Sequence, residues 1–227
     1  MKLVFLGPPG AGKGTYASRI CEKKGWAHIS TGDILREEIR KGSKIGIEAK
    51  KYVDTGQLVP DEMIIGILKE RLKKQDCKNG FILDGFPRTV SQAIALEKIT
   101  SIDAVLNLSI PNYVLISKIL GRRTCERCGA IYNIADIRFG PGKKYHMPPI
   151  KPKIDGICDK CGGRLISRSD ETEDIIKARL VVYKKQTIPL INFYKKRGLL
   201  KNVKVIGPPE VMLPKIYKVL GICEEGS

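Results

Sequence analysis

The chain has 227 residues, 42% of them hydrophobic, and 41 Lys+Arg stand against 24 Asp+Glu for a formal net charge of +17. That composition suits one sizeable folded core rather than a disordered chain, and no apolar run is long enough to span a bilayer. The positive excess fits either a lysine-rich solvated surface or anionic ligands, nucleotides or nucleic acid, but the basic residues are too scattered for a dedicated nucleic-acid segment.

The first element is a buried strand, KLVFLG at residues 2–7, running straight into GPPGAGKGT at residues 7–15. This stretch nearly fits the phosphate-loop pattern G-x-x-x-x-G-K-[ST], yet Gly14 follows Lys13 and the hydroxyl arrives one residue late, at Thr15. Gly10, Gly12 and Gly14 let backbone N–H groups converge on an anion, Lys13 adds a mobile charge, and a helix over 13–24 offers its N-terminus. The loop is expected to bind phosphate. With no hydroxyl after the lysine, a magnesium ion has to rely on nucleotide oxygens, water or another carboxylate. A cleavable leader would destroy this loop, so the expected location is the cytoplasm.

HIS at residues 28–30 reads as a short strand, and residues 30–59 as a helical, basic insertion. A helix is expected over 61–74. FILDGF at 81–86 is the next buried strand; it ends in Asp84, placed as a metal- or water-orienting carboxylate. AVLNLSI at 104–110, a helix over 112–121, a helix over 171–185 and the strand VKVIG at 203–207 complete the alternation. Strands alternating with helices imply an α/β, three-layer fold around a parallel sheet of about five strands, with ligands at the carboxyl ends of the strands.

Residues 122–168 interrupt the pattern with two knuckles, CERCG and CDKCG, and a Gly/Pro-rich run between them. Cys125, Cys128, Cys158 and Cys161 supply four thiolates at a spacing suited to tetrahedral zinc, closed and therefore structural; His146 reads as a surface residue. Redox-active C-x-x-C is the rival reading. Cys21, Cys77 and Cys223 stand alone, and an odd count argues against a disulfide framework.

The motifs GPPGAGKGT, STGDILR at 30–36, DGFPRT at 84–89 followed by Gln92, GRR at 121–123 and RSDETEDIIKARL at 168–180 together resemble the adenylate kinase family of nucleoside-monophosphate kinases, in the long, zinc-containing lid form. The resemblance covers almost the whole chain in the same order. In that family a glycine does follow the loop lysine. The resemblance implies a P-loop NTPase core (1–29, 60–121 and 169–227), a small helical domain closing over the monophosphate (30–59) and a zinc-bearing lid closing over ATP (122–168). It implies ATP contacts from Gly10, Ala11, Gly12, Lys13, Gly14, Thr15, Arg122, Ile131 and Tyr132. It implies AMP contacts from Thr31, Arg36, Gln57, Val59, Gly85, Arg88, Gln92, Arg168 and Arg179. Asp33 corresponds to a family carboxylate near the phosphates, or to an ordinary helix-start residue.

By the same resemblance Lys13, Arg88, Arg122, Arg168 and Arg179 are the catalytic cations, with Arg123 a neighbour of undefined role. Mg²⁺ accompanies ATP near Asp84, and zinc sits in the lid. The implied reaction is ATP + AMP ⇌ 2 ADP, carried out by a monomer. Acceptance of UMP/CMP or GMP, and a basic zinc-containing nucleic-acid-binding protein, are the alternatives. Arg168 and Arg179 are eleven residues apart, so a helix there would align them on one side. The chain departs from the family in having Lys118 where arginine often stacks on the ATP base, Asp170–Glu171 for Asp–Asp, and Tyr132–Asn133 for Tyr–His. The 29 residues between Cys128 and Cys158 also exceed the usual lid, and the insertion 139–153 has no assigned contact.

Overall fold

The computed structural model describes residues 1–223. Five parallel strands form the central sheet: β1 (Lys2–Leu6), β2 (Ala27–Ser30), β3 (Phe81–Asp84), β4 (Ala104–Ser109) and a last strand, Leu200–Lys204, in the order last–β4–β1–β3–β2. The short HIS strand is therefore real, and it starts one residue earlier. The last strand starts at Leu200 rather than at the apolar VKVIG, because Leu200 pairs with Val105 and Asn202 meets Asn107, their side chains hydrogen-bonded at 2.9 Å. Backbone pairing and one amide–amide bond extend it where hydrophobicity gives no sign.

Alternation along β1 divides the core. Leu3 and Phe5 face one layer with Ala17 and Ile20 of α1 (Lys13–Lys24) and Met212 and Ile216 of the C-terminal helix Pro209–Leu220. Val4 and Leu6 face the other layer, with Leu68 of the helix Asp61–Leu72, Leu96 of Val90–Glu97, and Leu190 and Tyr194 of Pro189–Lys196. Each face of the sheet is thus covered by helices, which is why the strands read as unbroken apolar runs.

Residues 30–59 form two helices, α2 (Thr31–Lys41) and α3 (Lys44–Asp54), each with a serine cap: Ser30 accepts from the amide of Asp33 at 3.3 Å and Ser43 from Gly46 at 3.0 Å. Helices α4 (Asp61–Leu72), α5 (Val90–Glu97) and α6 (Asn112–Leu120) follow, the first two residues shorter than expected.

The 171–185 expectation needs correction. Thr172 caps α7 (Glu173–Val182) by accepting from Ile175, so the helix begins two residues later than expected and the regular α-helix ends at Val182. A π-helical turn, Tyr183–Thr187, then leads into α8 (Pro189–Lys196). Pro189 has no N–H and its ring would crowd the carbonyl four residues back, so a wider turn carries the helix past it.

Residues 122–168 hold a three-stranded antiparallel sheet of β5 (Arg122–Cys125), β6 (Ile131–Asn133) and β9 (Leu165–Ile166), in the order β6–β5–β9. A separate hairpin, β7 (Ile137–Phe139) with β8 (Tyr145–Met147), projects from it. The last sheet strand is then β10 and the last helix α9 (Pro209–Leu220).

Candidate active site

β1 connects towards the β2 edge of the sheet while its neighbours β3 and β4 connect towards the opposite edge, and the turn from β1 to α1 opens at this reversal into a cleft of about 260 Å³. Gly12 lies at φ 95, a backbone angle that admits glycine readily, and turns the chain into α1. Lys13 donates from Nζ to the carbonyls of Gly7 (2.8 Å) and Pro8 (3.0 Å), so its ammonium lies along the loop it follows. Burial pushes Lys13 down to about 8, with Arg88 and Arg122 adding to the effect and Asp84 opposing it. Ala11 differs from its neighbours: its methyl is in the core and its amide donates to Pro8 O at 3.2 Å, so it shapes the loop rather than facing the cleft.

Gly14 has a tertiary reason. A Cβ there would lie 3.1 Å from Oδ2 of Asp84 and 3.5 Å from Cδ1 of Ile131. A serine would intrude on the carboxylate that ends β3. The glycine after the lysine therefore spares Asp84 a tight contact, while a side chain there would meet Ile131 of β6 at an ordinary distance. Burial pushes the Asp84 carboxyl up, but His28, with Nε2 at 3.6 Å, and Lys13 outweigh it and hold the group ionised below its ordinary range.

Beside the loop, α2 and the β3–α5 turn build a second lobe. Thr31 donates to Gly85 O at 2.9 Å; Arg88 donates from Nε to the same carbonyl at 2.7 Å, and Thr187 of the π-helical turn donates to Arg88 O at 2.9 Å. The Phe86–Pro87 bond is cis. Gln92 is buried with Oε1 accepting from the Arg88 amide (2.7 Å) and Nε2 donating to Asp61 (2.7 Å). The second N–H of its amide has no acceptor among the described residues. Asp61, at the start of α4, was not singled out from the sequence, where it reads as an ordinary helix-start carboxylate. Gln57 and Val59 line this lobe as well.

Arg168 and Arg179 do come together, by carboxylates and not by one helix. Asp170 is nearly fully buried and pairs with Arg179 and with Arg36 (3.4 Å). Glu171 pairs with Arg122 (3.0 Å) and Arg168 (3.6 Å), and Asp33 with Arg36 (2.5 Å) and Arg168 (3.3 Å). Burial pushes the Asp33 carboxyl up, but Arg36 and Arg168 drag it far below its ordinary range, so it is a working ion-pair partner and not only a helix start. The Asp170–Glu171 departure thus keeps two carboxylates, each paired with two arginines. Arg123 turns away, donating to the carbonyls of Leu120 and Arg122. Arg88 has no carboxylate within ion-pair distance among the described residues, and burial with nearby Arg179 brings it down to about 10.

At the other end of β5 from Arg122, Cys125 and Cys161 bring their Sγ atoms to 3.5 Å and Cys128 and Cys158 to 3.6 Å, and all four lie within 4.8 Å of one another. A tetrahedron with metal–sulfur bonds of about 2.3 Å has edges of about 3.8 Å, so the set fits a metal ion. Tyr132 donates to Cys158 Sγ at 3.6 Å while accepting from the Asp159 amide at 2.8 Å; its hydroxyl supports the knuckle even as the residue lines the cleft. His146 pairs with Asp136 at 2.5 Å and takes no part in the cluster. Cys21 and Cys77 are buried singly, and Cys223 is exposed. No described helix is long and apolar enough to cross a membrane.

Comparison with known proteins gives a consistent result. The family profile described as Adenylate kinase matches residues 5–199. The chain is 48% identical over 225 residues to an adenylate kinase of Thermodesulfovibrio yellowstonii, covering 97% of this chain and 99% of the relative. It is 50% identical over 208 residues to one of Archaeoglobus fulgidus (89% and 90% covered), and 49% identical over 225 residues to one of Methanothrix thermoacetophila (97% and 98% covered).

Proposed function

The chain belongs to the adenylate kinase family, and we propose that it catalyses ATP + AMP ⇌ 2 ADP through the cations of this cleft. The observation that carries the reading is the convergence of Lys13, Arg88, Arg122, Arg168 and Arg179 on one cleft above the β1–α1 loop. An oxygen of the AMP phosphate attacks the γ-phosphorus in line. The bond from that phosphorus to the β–γ bridging oxygen breaks, and the electron pair leaves with the β-phosphate of the departing ADP. AMP already presents an anionic oxygen, so no general base is required; alignment and charge stabilisation supply the catalysis. Lys13 and the loop amides hold the donor phosphates. Arg36 and Arg88 grip the acceptor phosphate, and Arg122, Arg168 and Arg179 stabilise the charge spread over the transferring group.

The second lobe, with Thr31, Gln57, Val59, Gly85 and Gln92, is the AMP site, and residues 30–59 and 122–168 act as closing domains on a core of 1–29, 60–121 and 169–227. Closure excludes water that would otherwise hydrolyse ATP. Arg40 of α2 donates to Glu126 O at 2.8 Å, a bond between the two closing domains that supports this reading. Mg²⁺ bound with ATP would have Asp84 as its nearest carboxylate at the loop, and would supply neutralisation of the phosphate charge. Zinc in the four-cysteine site is structural, with no open position for substrate. All groups come from one chain, so a monomer suffices, and the cytoplasm is the proposed location.

ADP formation from ATP with AMP, CMP, UMP or GMP as separate acceptors tests the reading. AMP should give the highest kcat/KM. A higher value with another monophosphate would reassign the acceptor, and no ADP with any of them would overturn the reaction.

A further inference from the structure

The insertion between the cysteine knuckles has a place in the cleft. Its sequence alternates as IRF (137–139) and YHM (145–147) about a Gly-Pro-Gly turn, and the register sets Ile137 opposite Met147, Arg138 opposite His146 and Phe139 opposite Tyr145. Alternate side chains share a face. Ile137, Phe139 and Met147 are buried in the same apolar cluster as Val114 and Leu115 of α6 and Val205 after β10, while Arg138 lies on the exposed face. The Phe139 and Tyr145 rings are 5.4 Å apart, Lys204 stands over Tyr145 at 5.7 Å, and the Tyr113 hydroxyl accepts from the Gly140 amide at 3.2 Å. The hairpin is thus docked on the core, although its sequence lies inside the lid segment.

Ile137 and Met147 also line the cleft, together with Ala135, Pro148, Ile119 of α6 and Pro208. This end of the cleft adjoins the phosphate loop: a Cβ on Gly10 would come within 2.8 Å of Cγ1 of Ile119. A triphosphate held by the loop therefore directs its base here, away from the lobe under α2. Asn133 is already committed, donating to Lys118 O at 2.7 Å and accepting from the Ala135 amide at 2.9 Å. The face the hairpin presents is consequently apolar.

We propose that the β7–β8 hairpin is the outer wall of the donor-base subsite, and that Ile137 and Met147 set the affinity and base preference for the nucleoside triphosphate. The inference rests on the proposed phosphotransfer, with the donor phosphates on the β1–α1 loop. A methylene in a hydrophobic pocket is worth about 10–200-fold in discrimination. Met147→Ala and Ile137→Ala should each raise KM for ATP about tenfold and narrow the ratio of kcat/KM for ATP over GTP and CTP, with KM for AMP unmoved. Arg138→Ala, on the outer face, should change none of these. A variant in which a short glycine link replaces residues 136–146 should show the same split more strongly. Thermal stabilisation by ATP alone and by AMP alone gives a second readout: the alanine variants should lose the first and keep the second.

Unchanged ATP affinity and donor preference in folded alanine variants would overturn the proposal, as would equal losses for ATP and AMP, which would mark a general structural role. Failure of the phosphotransfer reading is distinguishable, because the unaltered chain would then form no ADP.

Discussion

In the cleft, six cations (Lys13, Arg36, Arg88, Arg122, Arg168 and Arg179) face the carboxylates of Asp33, Asp84, Asp170 and Glu171; in the cysteine cluster, four thiol groups face one another. Both gather like groups at least partly out of water, where charge is costly: Cys125 and Cys158 are buried, while Cys128 is exposed. They differ in how the charge is balanced. The cleft is open, three of its acids are each shared between two arginines, and Arg88 is left with a carbonyl, so the outstanding charge is positive and suited to a substrate that comes and goes. The cysteines are closed on each other at 3.5–3.6 Å, which suits a cation that stays. An exchangeable ligand needs a site left partly unbalanced, whereas a permanent one needs a site without an open face.

The largest test of that contrast is Arg88→Ala, which should lower kcat by about 10³-fold or more while the circular dichroism spectrum and melting temperature stay near those of the unaltered protein. A drop of less than tenfold would show that the unpaired arginine is not a working cation. Gly14→Ser comes next. It restores the generic loop pattern yet sets an oxygen-bearing side chain against Asp84, and since a displacement of about 1 Å at a reacting centre can cost about 10²-fold, the smaller shift needed here should lower steady-state kcat/KM for ATP by about tenfold. Unimpaired turnover would remove the steric account of Gly14.

pH probes the same imbalance more gently. Lys13 is pushed down to about 8 from the ordinary 10.5, so between these values the folded chain holds fewer protons than the unfolded one. The cost of burying the charged lysine is therefore present below pH 8 and is relieved as pH rises towards 10.5, and this group makes stability increase across that window. Substrate binding runs the other way. A phosphate beside Lys13 favours the ammonium, so ATP binding above pH 8 should take up a proton and weaken by about tenfold per pH unit. Calorimetry in two buffers of different ionisation enthalpy measures that uptake; none at pH 9 would contradict a lysine on the phosphates.

The smallest effect on chemistry should come from the other region. Cys158→Ser, or stripping of the metal, should lower the melting temperature by about 5 °C or more, given about 2–4 °C per kcal/mol for a chain of this size, with kcat at low temperature within about tenfold. Metal content should drop in parallel. An intact melting temperature in metal-free protein would deny the cluster a structural role.

Much of the active centre was legible because phosphate binding uses local devices. Glycines, a lysine and a helix start lie within nine residues of one another, and DGFPRT carries its own turn. The acids were less legible. Asp33 reads equally well as a helix-start residue, Asp61 as nothing more than one, and Asp170 gives no sign that it will be nearly fully buried between Arg36 and Arg179. The alignment of Arg168 with Arg179 was expected from helical spacing, but the Thr172 cap starts the helix too late, and Asp33, Asp170 and Glu171 gather the arginines instead.

By itself the sequence determined the alternation of strand and helix, the phosphate loop, the family and the four-thiol spacing, all of which depend on residues near one another in the chain or on motifs in a set order. Tertiary structure alone decided what a side chain at residue 14 would meet, which carboxylates hold which arginines, and that the hairpin at 137–147, although within residues 122–168, packs against α6 and Val205. Those contacts join residues as distant as Arg36 and Asp170, and Gly14 and Asp84, whose meeting is set by the parallel sheet bringing the ends of β1, β2 and β3 side by side.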